Sequence, residues 1–179
     1  MPQVSLRRFQ PGDAAAVHRW FNNRRATKTL VVQRQSFSLE EAADWVARAM
    51  DDSGEDRKYA ILVAGQEEPV GFTALYGLES STPPELGCVL GANAARGKGL
   101  GREAERLTIA RAFDEFGAHR VYGEIPAFNE AAKRTVTSLG WRYVETLADH
   151  DERGGERFDL EIWAVLPDEF RAAAADILG

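Results

Sequence analysis

The chain has 179 residues, 44% of them hydrophobic and 28% charged, with a formal net charge of -6 and a single cysteine, Cys88. That length predicts one domain spanning 1–179 with a core large enough to need no staples, and the lone cysteine excludes a disulfide framework or a cysteine-based zinc site. An acidic balance argues against nucleic acid as the partner, and the lack of a membrane-length apolar run or signal-like N-terminus argues against a membrane span, so a cytoplasmic protein is expected.

Val4 to Phe9 alternates apolar and polar residues like a half-buried strand. Pro11-Gly12-Asp13 breaks it, and Asp13 is placed to cap a helix carrying Val17, Trp20 and Phe21, which ends in the polar loop Asn22-Asn23-Arg24-Arg25. Ser38 and Glu41 form a capping box, followed at helical spacing by Leu39, Ala42, Ala43, Val46 and Met50. A charged linker at 51–58 leads to strands at 59–63 and 70–76, joined by a turn at 65–69. Glu85 to Leu90 reads as the fourth strand. The glycine-rich run 96–101 then opens a long helix reaching about Phe116, with Ala104, Leu107, Ala110 and Phe113 recurring along it.

Arg120 to Ile125 is a strand closed by Pro126. Asn129 opens a helix with an apolar stripe at Ala132, Val136 and Leu139, ended by Gly140. Strands at 141–146 and 157–165 form a last hairpin around 151–155, and the alanine run 172–175 is the one low-complexity tract. The order β-α-α-β-β-β-α-β-α-β-β predicts an α/β (α+β) fold with a mixed sheet flanked by helices rather than a doubly wound one.

The chemistry concentrates in Arg96-Gly97-Lys98-Gly99-Leu100-Gly101. Glycines at alternate positions before a helix let successive backbone N–H groups converge on an anion, and Arg96 and Lys98 add cations suited to phosphate. A P-loop is excluded because G-x-x-x-x-G-K-[ST] is absent. Gly99 to Ala104 fits the dinucleotide pattern G-x-G-x-x-A, but the loop follows four strands and stands six residues after Leu90, unlike a Rossmann turn. A plain surface turn is the remaining reading from the residues alone.

The run 96–101 resembles the R/Q-x-x-G-x-G/A signature of GNAT acetyltransferases and falls where that family carries it, between the fourth strand and its following helix. Pro69-Val-Gly-Phe72, Glu85 to Leu90, Arg120-Val-Tyr122, and Asn129 followed by Leu139-Gly-Trp141 are similar to the rest of the family's pattern, in order. Trp20-Phe-Asn-Asn23 and the Ser38 helix resemble the RimJ/RimL-like branch. The resemblance implies the GNAT fold, a mostly antiparallel seven-stranded sheet splayed between strands 4 and 5. It also implies acetyl-CoA as co-substrate, no metal, and transfer of acetyl to a primary amine by direct attack.

Carried over by position, the resemblance implies that Arg96, Gly97, Lys98, Gly99, Leu100, Gly101 and Arg102 hold the CoA pyrophosphate. Cys88, Val89 and Leu90 would pair with the pantetheine arm through their backbone, and Asn129 would touch it as well as capping its helix. Glu85 and Glu124 are the candidate bases, each with a solvated strand-end carboxylate as its dull alternative. Val136 and Ala132 occupy the positions where family members carry a tyrosine or serine acid, so the proton donor to the thiolate stays unassigned, with Tyr122 one possible hydroxyl. Trp20, Asn22, Asn23 and His150 are the candidate substrate residues, in or beside the segments 22–28 and 150–157. The acceptor is left open between a small-molecule amine, an amino sugar and a protein N-terminus, and the assembly between monomer and homodimer. A degenerate acyl-CoA-binding sensor is the alternative to an enzyme.

Overall fold

The computed structural model describes residues 3–27 and 36–178. Seven strands form one sheet: β1 (Val4–Arg8), β2 (Arg57–Val63), β3 (Gly71–Tyr76), β4 (Glu85–Leu90), β5 (Val121–Pro126), β6 (Arg142–Arg153) and β7 (Glu156–Val165), in the order β1-β2-β3-β4-β5-β7-β6. Neighbours are antiparallel except β4 and β5, which run parallel and meet at one register pair, Glu85 with Tyr122. This is the GNAT fold expected above. A parallel pair needs a long crossover, and here it is α4 (Leu100–Asp114).

The helices are α1 (Ala14–Phe21), the short α2 (Arg24–Thr27), α3 (Leu39–Met50), α4, α5 (Glu130–Ser138) and α6 (Pro167–Leu178). Ser38 caps α3 reciprocally: Glu41 N–H donates to its hydroxyl, and the Glu41 carboxylate accepts from Ser38 N–H at 2.7 Å. Asn129 caps α5 by accepting from Ala132 N–H at 3.3 Å. Asp13, expected to cap α1, makes no such bond. Its carboxylate instead accepts from Gln10 N–H and takes a two-pronged contact from Arg7 at 2.7 and 2.8 Å, tying β1 to the following turn.

Three further expectations are corrected. The buried face of α3 is Ala42, Val46 and Ala49, while Leu39, Ala43 and Met50 are exposed, because at 3.6 residues per turn those three lie around the helix from the buried face. On α4 the buried face is Leu100, Ala104, Thr108, Ile109, Ala112 and Phe113. A repeat of three drifts around a 3.6-residue turn, so Leu107 and Ala110 are only partly buried. The hairpin expected to turn at 151–155 is longer, with β6 running through the segment to turn at Gly154-Gly155. Two register shifts, before Glu145 and before Asp151, break the alternation that marks a strand in sequence.

α6 was not anticipated. Its alanine run offers few large side chains, yet Phe170 is buried and stacks against Phe113 of α4 at 5.8 Å. Gly140 lies so close beneath α6 that an added Cβ would stand 2.6 Å from the Glu169 carbonyl oxygen. One core, around Ile109, Leu139 and Val165, joins α4, α5 and α6 to strands β3 to β5 and β7. A second, around Val17, Trp20, Val46 and Phe72, holds α1 and α3 on the other side. Among the described residues no helix is long and apolar enough to cross a membrane.

Candidate functional site

β3 pairs the whole length of β4, with Thr73 opposite Cys88, Phe72 opposite Val89 and Gly71 opposite Leu90. On its other side β4 meets β5 only at Glu85 and Tyr122, and the strands diverge from there. Sheet backbone left without a ladder partner must find another acceptor or donor. The β5-facing edge of Cys88 to Leu90 therefore borders open space, and two cavities occupy it.

The first cavity, of about 320 Å³, lies between the end of β4, the start of α4 and α5. Gly97 and Gly99 adopt left-handed φ of 73° and 74°, a conformation that only glycine takes without cost, and Gly99 is the residue from which α4 springs. The first helical bond runs from Glu103 N–H to the Gly99 carbonyl at 3.1 Å, so the N–H groups of Leu100 to Arg102 precede the helical ladder. A Cβ on Gly97 would meet nothing within 4 Å, and Arg96 braces the loop by donating to the Leu90 carbonyl at 2.9 Å. A glycine cradle, free leading amides and the positive end of a 15-residue helix suit a diphosphate. The donor expected from sequence fits these residues. Arg96, Gly97, Gly99, Leu100, Gly101, Arg102 and Asn129 all line the cavity, as do Cys88, Val89 and Leu90. Lys98 is exposed and does not line it.

The second cavity, of about 430 Å³, opens where β4 and β5 part. Phe21, Trp45, Phe72 and Tyr76 supply an aromatic side, with Trp45 and Phe72 edge to face at 5.0 Å. Its charged lining residues are Glu85, Glu105 and Glu124, with no lysine or arginine among them. Burial first, then the neighbouring carboxylates of Glu124 and Asp56, pushes Glu85 up to about 7. Tyr76, opposite Glu85 on β3, is pushed up to about 12 by burial and by Asp56 and Glu85. Such a phenol keeps its proton through the neutral range, while Glu85 exchanges one.

Cys88, Val89, Glu105, Asn129 and Ala132 line both cavities and so mark where they meet. Burial drives the Cys88 thiol well above its usual range, which keeps it a thiol rather than a nucleophilic thiolate. Ala132 and Val136 do face the second cavity, and neither can give up a proton.

The four candidate substrate residues lie elsewhere. Trp20 is 5% exposed and packs over Gly91, close enough that a Cβ there would stand 2.0 Å from its Cγ. It is a core residue because its ring fills the gap between α1 and the end of β4. Asn22 ties the end of α1 to Phe37, donating to its carbonyl at 2.7 Å and accepting from its N–H at 3.0 Å. Asn23 donates to the Gly91 carbonyl and to Asn93 Oδ1, both at 3.2 Å. Both amides are engaged within the protein, Asn22 by Phe37 and Asn23 by Gly91 and Asn93. His150 is exposed on β6, with Nδ1 3.7 Å from the Asp151 carboxylate, and lines neither cavity. Lys28, at the end of the basic segment, lies outside the described residues.

Reading the chain alone missed Glu105, Phe21 and Trp45. Trp45 follows the buried Ala42 by three positions, and Glu105 follows Gly101 by four, so each sits one turn beyond a residue already singled out. Helical spacing was the available signal in both cases.

The model of the acetyltransferase (GNAT) domain family matches residues 3–142. The protein described as uncharacterized N-acetyltransferase YnaD of Bacillus subtilis (strain 168) is 22% identical over 168 residues, covering 94% of this chain and 96% of that protein. Among solved structures, a GNAT-family acetyltransferase from Bacillus anthracis superposes with a TM-score of 0.79 at 21% identity, covering 94% of this chain and 98% of that one. Spermidine N-acetyltransferase from Vibrio cholerae, in complex with CoA and spermine, superposes with a TM-score of 0.84 at 19% identity, with the same coverage of 94% and 98%.

Proposed function

The chain belongs to the GNAT acetyltransferase family, and from that premise we propose that it is an acetyl-CoA-dependent N-acetyltransferase whose acceptor is a small cationic amine. The observation that carries this reading is the meeting of two unlike cavities at the β4–β5 splay, one built for an anion and the other lined by carboxylates and aromatic rings. Acetyl-CoA supplies the activated acetyl group; Gly97, Gly99 and the leading amides of α4 would hold its diphosphate, and the open edge of Cys88 to Leu90 its arm.

An ammonium is drawn into the second cavity by the Glu85 and Glu124 carboxyl groups and by the faces of Trp45 and Phe72. The same charges repel phosphate and carboxylate, which disfavours sugar nucleotides as acceptors. An aliphatic amine near the lysine value is neutral in only about one molecule in 2,500 at pH 7, so attack requires removal of a proton. Glu85, with an affinity for protons close to neutrality, is matched to that task. A backbone N–H near Val89 or Leu90, on the edge that β3 leaves open, is the donor available to polarise the acetyl carbonyl. At 19% identity the likeness to the spermidine enzyme carries the fold, and the acceptor class rests on the cavity lining. The RimJ/RimL-like features fall on Trp20 to Asn23 and the α3 cap, which build scaffold and leave the acceptor open.

Thiol release from acetyl-CoA across a panel of amines tests the proposal. Turnover is expected with mono- and polycationic aliphatic amines and not with amines carrying phosphate. CoA binding without turnover on any amine would instead mark a sensor.

A further inference from the structure

Glu105 sits one helical turn beyond Gly101 on α4 and lines both cavities where they meet. Its Oε2 is shut off from solvent and has no hydrogen-bond partner. The adjacent cation, Arg106, turns away to Glu103, with 2.7 Å between Nη2 and Oε1. The titratable and polar groups that line the two cavities with Glu105 include Cys88 and Glu85 from β4, Glu124 from β5, Asn129 at the start of α5, Arg96 in the glycine loop, and Arg102 on α4 itself. Burial pushes the Glu105 carboxyl up to about 8, with a hydrogen bond from the Cys88 thiol acting the other way. At neutral pH this group therefore still carries an O–H.

Resting on the acetyl-transfer reading above, we propose that Glu105 is the acid catalyst, delivering a proton to the departing thiolate as the C–S bond breaks. The step requires a donor, and the α5 residues that face the cavity, Ala132 and Val136, have none to offer. Tyr76 and Tyr122 lie at the Glu85 end of the site, opposite and beside that carboxyl, and both are held above the usual phenol range. The protons balance. The amine enters as an ammonium and passes one proton through Glu85 to solvent; the neutral nitrogen then forms the new C–N bond and passes a second proton to Glu85. The sulfur leaves with the C–S electron pair and takes one proton from Glu105. Glu85 then returns its proton to solvent and Glu105 regains one, restoring the starting state.

Thiol release by Glu105→Gln, with an amine the wild type accepts, tests the assignment. The turnover number is expected to fall about 100-fold, while acetyl-CoA affinity and the KM for the amine stay within about twofold. The wild-type rate should decline above about pH 8 and that decline should vanish in the variant. With the selenoester analogue of acetyl-CoA, whose selenolate leaves without a proton, the variant should regain most of the wild-type rate. A wild-type turnover number in Glu105→Gln, or an equal defect with thioester and selenoester, overturns the proposal. Failure of the wild type itself on every amine overturns the acetyltransferase reading instead. A readout independent of turnover is infrared titration of the donor-free protein carrying Glu85→Gln, which stands even if Glu105→Gln does not fold. A protonated carboxyl band lost near pH 8 is expected; full ionisation of every carboxyl by pH 7 overturns the proposal.

Discussion

Glu85 and Tyr122 form the register pair that joins β4 to β5, and among the described residues they are the only one. Everything beyond that pair follows from its isolation. With β4 held along its full length by β3, and α4 and α5 filling the layer beneath, the strands part over open space rather than over a second ladder. The candidate base thus stands at the hinge of the splay, where burial is partial and a proton can enter or leave.

The first prediction concerns pH. Glu85 acts as a base only when ionised, so turnover should rise with pH through about 7, ahead of the decline expected above about 8. Glu85→Gln should flatten that rise and lower turnover by about 100-fold at pH 8, with acetyl-CoA affinity unchanged. A pH–rate profile with the same ascending limb in the variant would remove Glu85 from the role.

Stability should carry the opposite pH signature. Glu85 and Glu105 have folded-state proton affinities raised above the unfolded value of 4.5, to about 7 and about 8. The folded chain therefore holds more protons than the unfolded chain between those limits, and stability falls as pH rises through them. Glu105→Gln should melt no higher than wild type at pH 4 but be more stable at pH 9, by on the order of a few kcal/mol. Thermal unfolding at the two pH values measures the difference, and an equal effect at both would contradict it.

Trp20 and Gly91 form a packing unit. Trp20→Ala should cost about 3–5 kcal/mol by leaving a cavity, and Gly91→Ala about 1–3 kcal/mol or more by overpacking. Because the new methyl would occupy space vacated by the indole, the double variant should be more stable than the sum of the two losses allows. Chemical denaturation of the four proteins checks this, and simple additivity would mean that the two do not touch.

The aromatic side of the second cavity should set acceptor affinity. Trp45→Leu should raise the KM for cationic amines about fivefold, by loss of roughly 1 kcal/mol of cation–π attraction, while leaving the KM for acetyl-CoA unchanged. Steady-state kinetics with each substrate varied in turn gives both numbers, and a change confined to acetyl-CoA would reassign the ring.

Much of this architecture was legible in the chain before its coordinates. The strand runs, the Ser38 capping box, the Asn129 cap and the glycine loop each rest on local chemistry that sequence displays directly. What escaped depends on tertiary partners. α6 is anchored largely through Phe170 and the close approach of Gly140, which an alanine-rich run does not advertise. The second half of β6, beyond the strand read at 141–146, is not evident in sequence because bulges shift the register and leave polar residues such as His150 exposed. Trp20 looks like a ligand contact until the end of β4 is seen beneath it. Glu105 looks like a solvated helix acid until Arg106 is found committed to Glu103.

The most direct measurement is a calorimetric titration of acetyl-CoA into wild type and Gly99→Asp. Gly99 holds a φ of 74° at the head of α4, so aspartate there adds both backbone strain and a like charge beside the diphosphate. Saturable binding by wild type, weakened about 100-fold or lost in the variant, is the expected result, since two such penalties of roughly 1–2 kcal/mol each multiply. Equal affinity in the two proteins, or no heat from wild type at millimolar donor, would contradict the account.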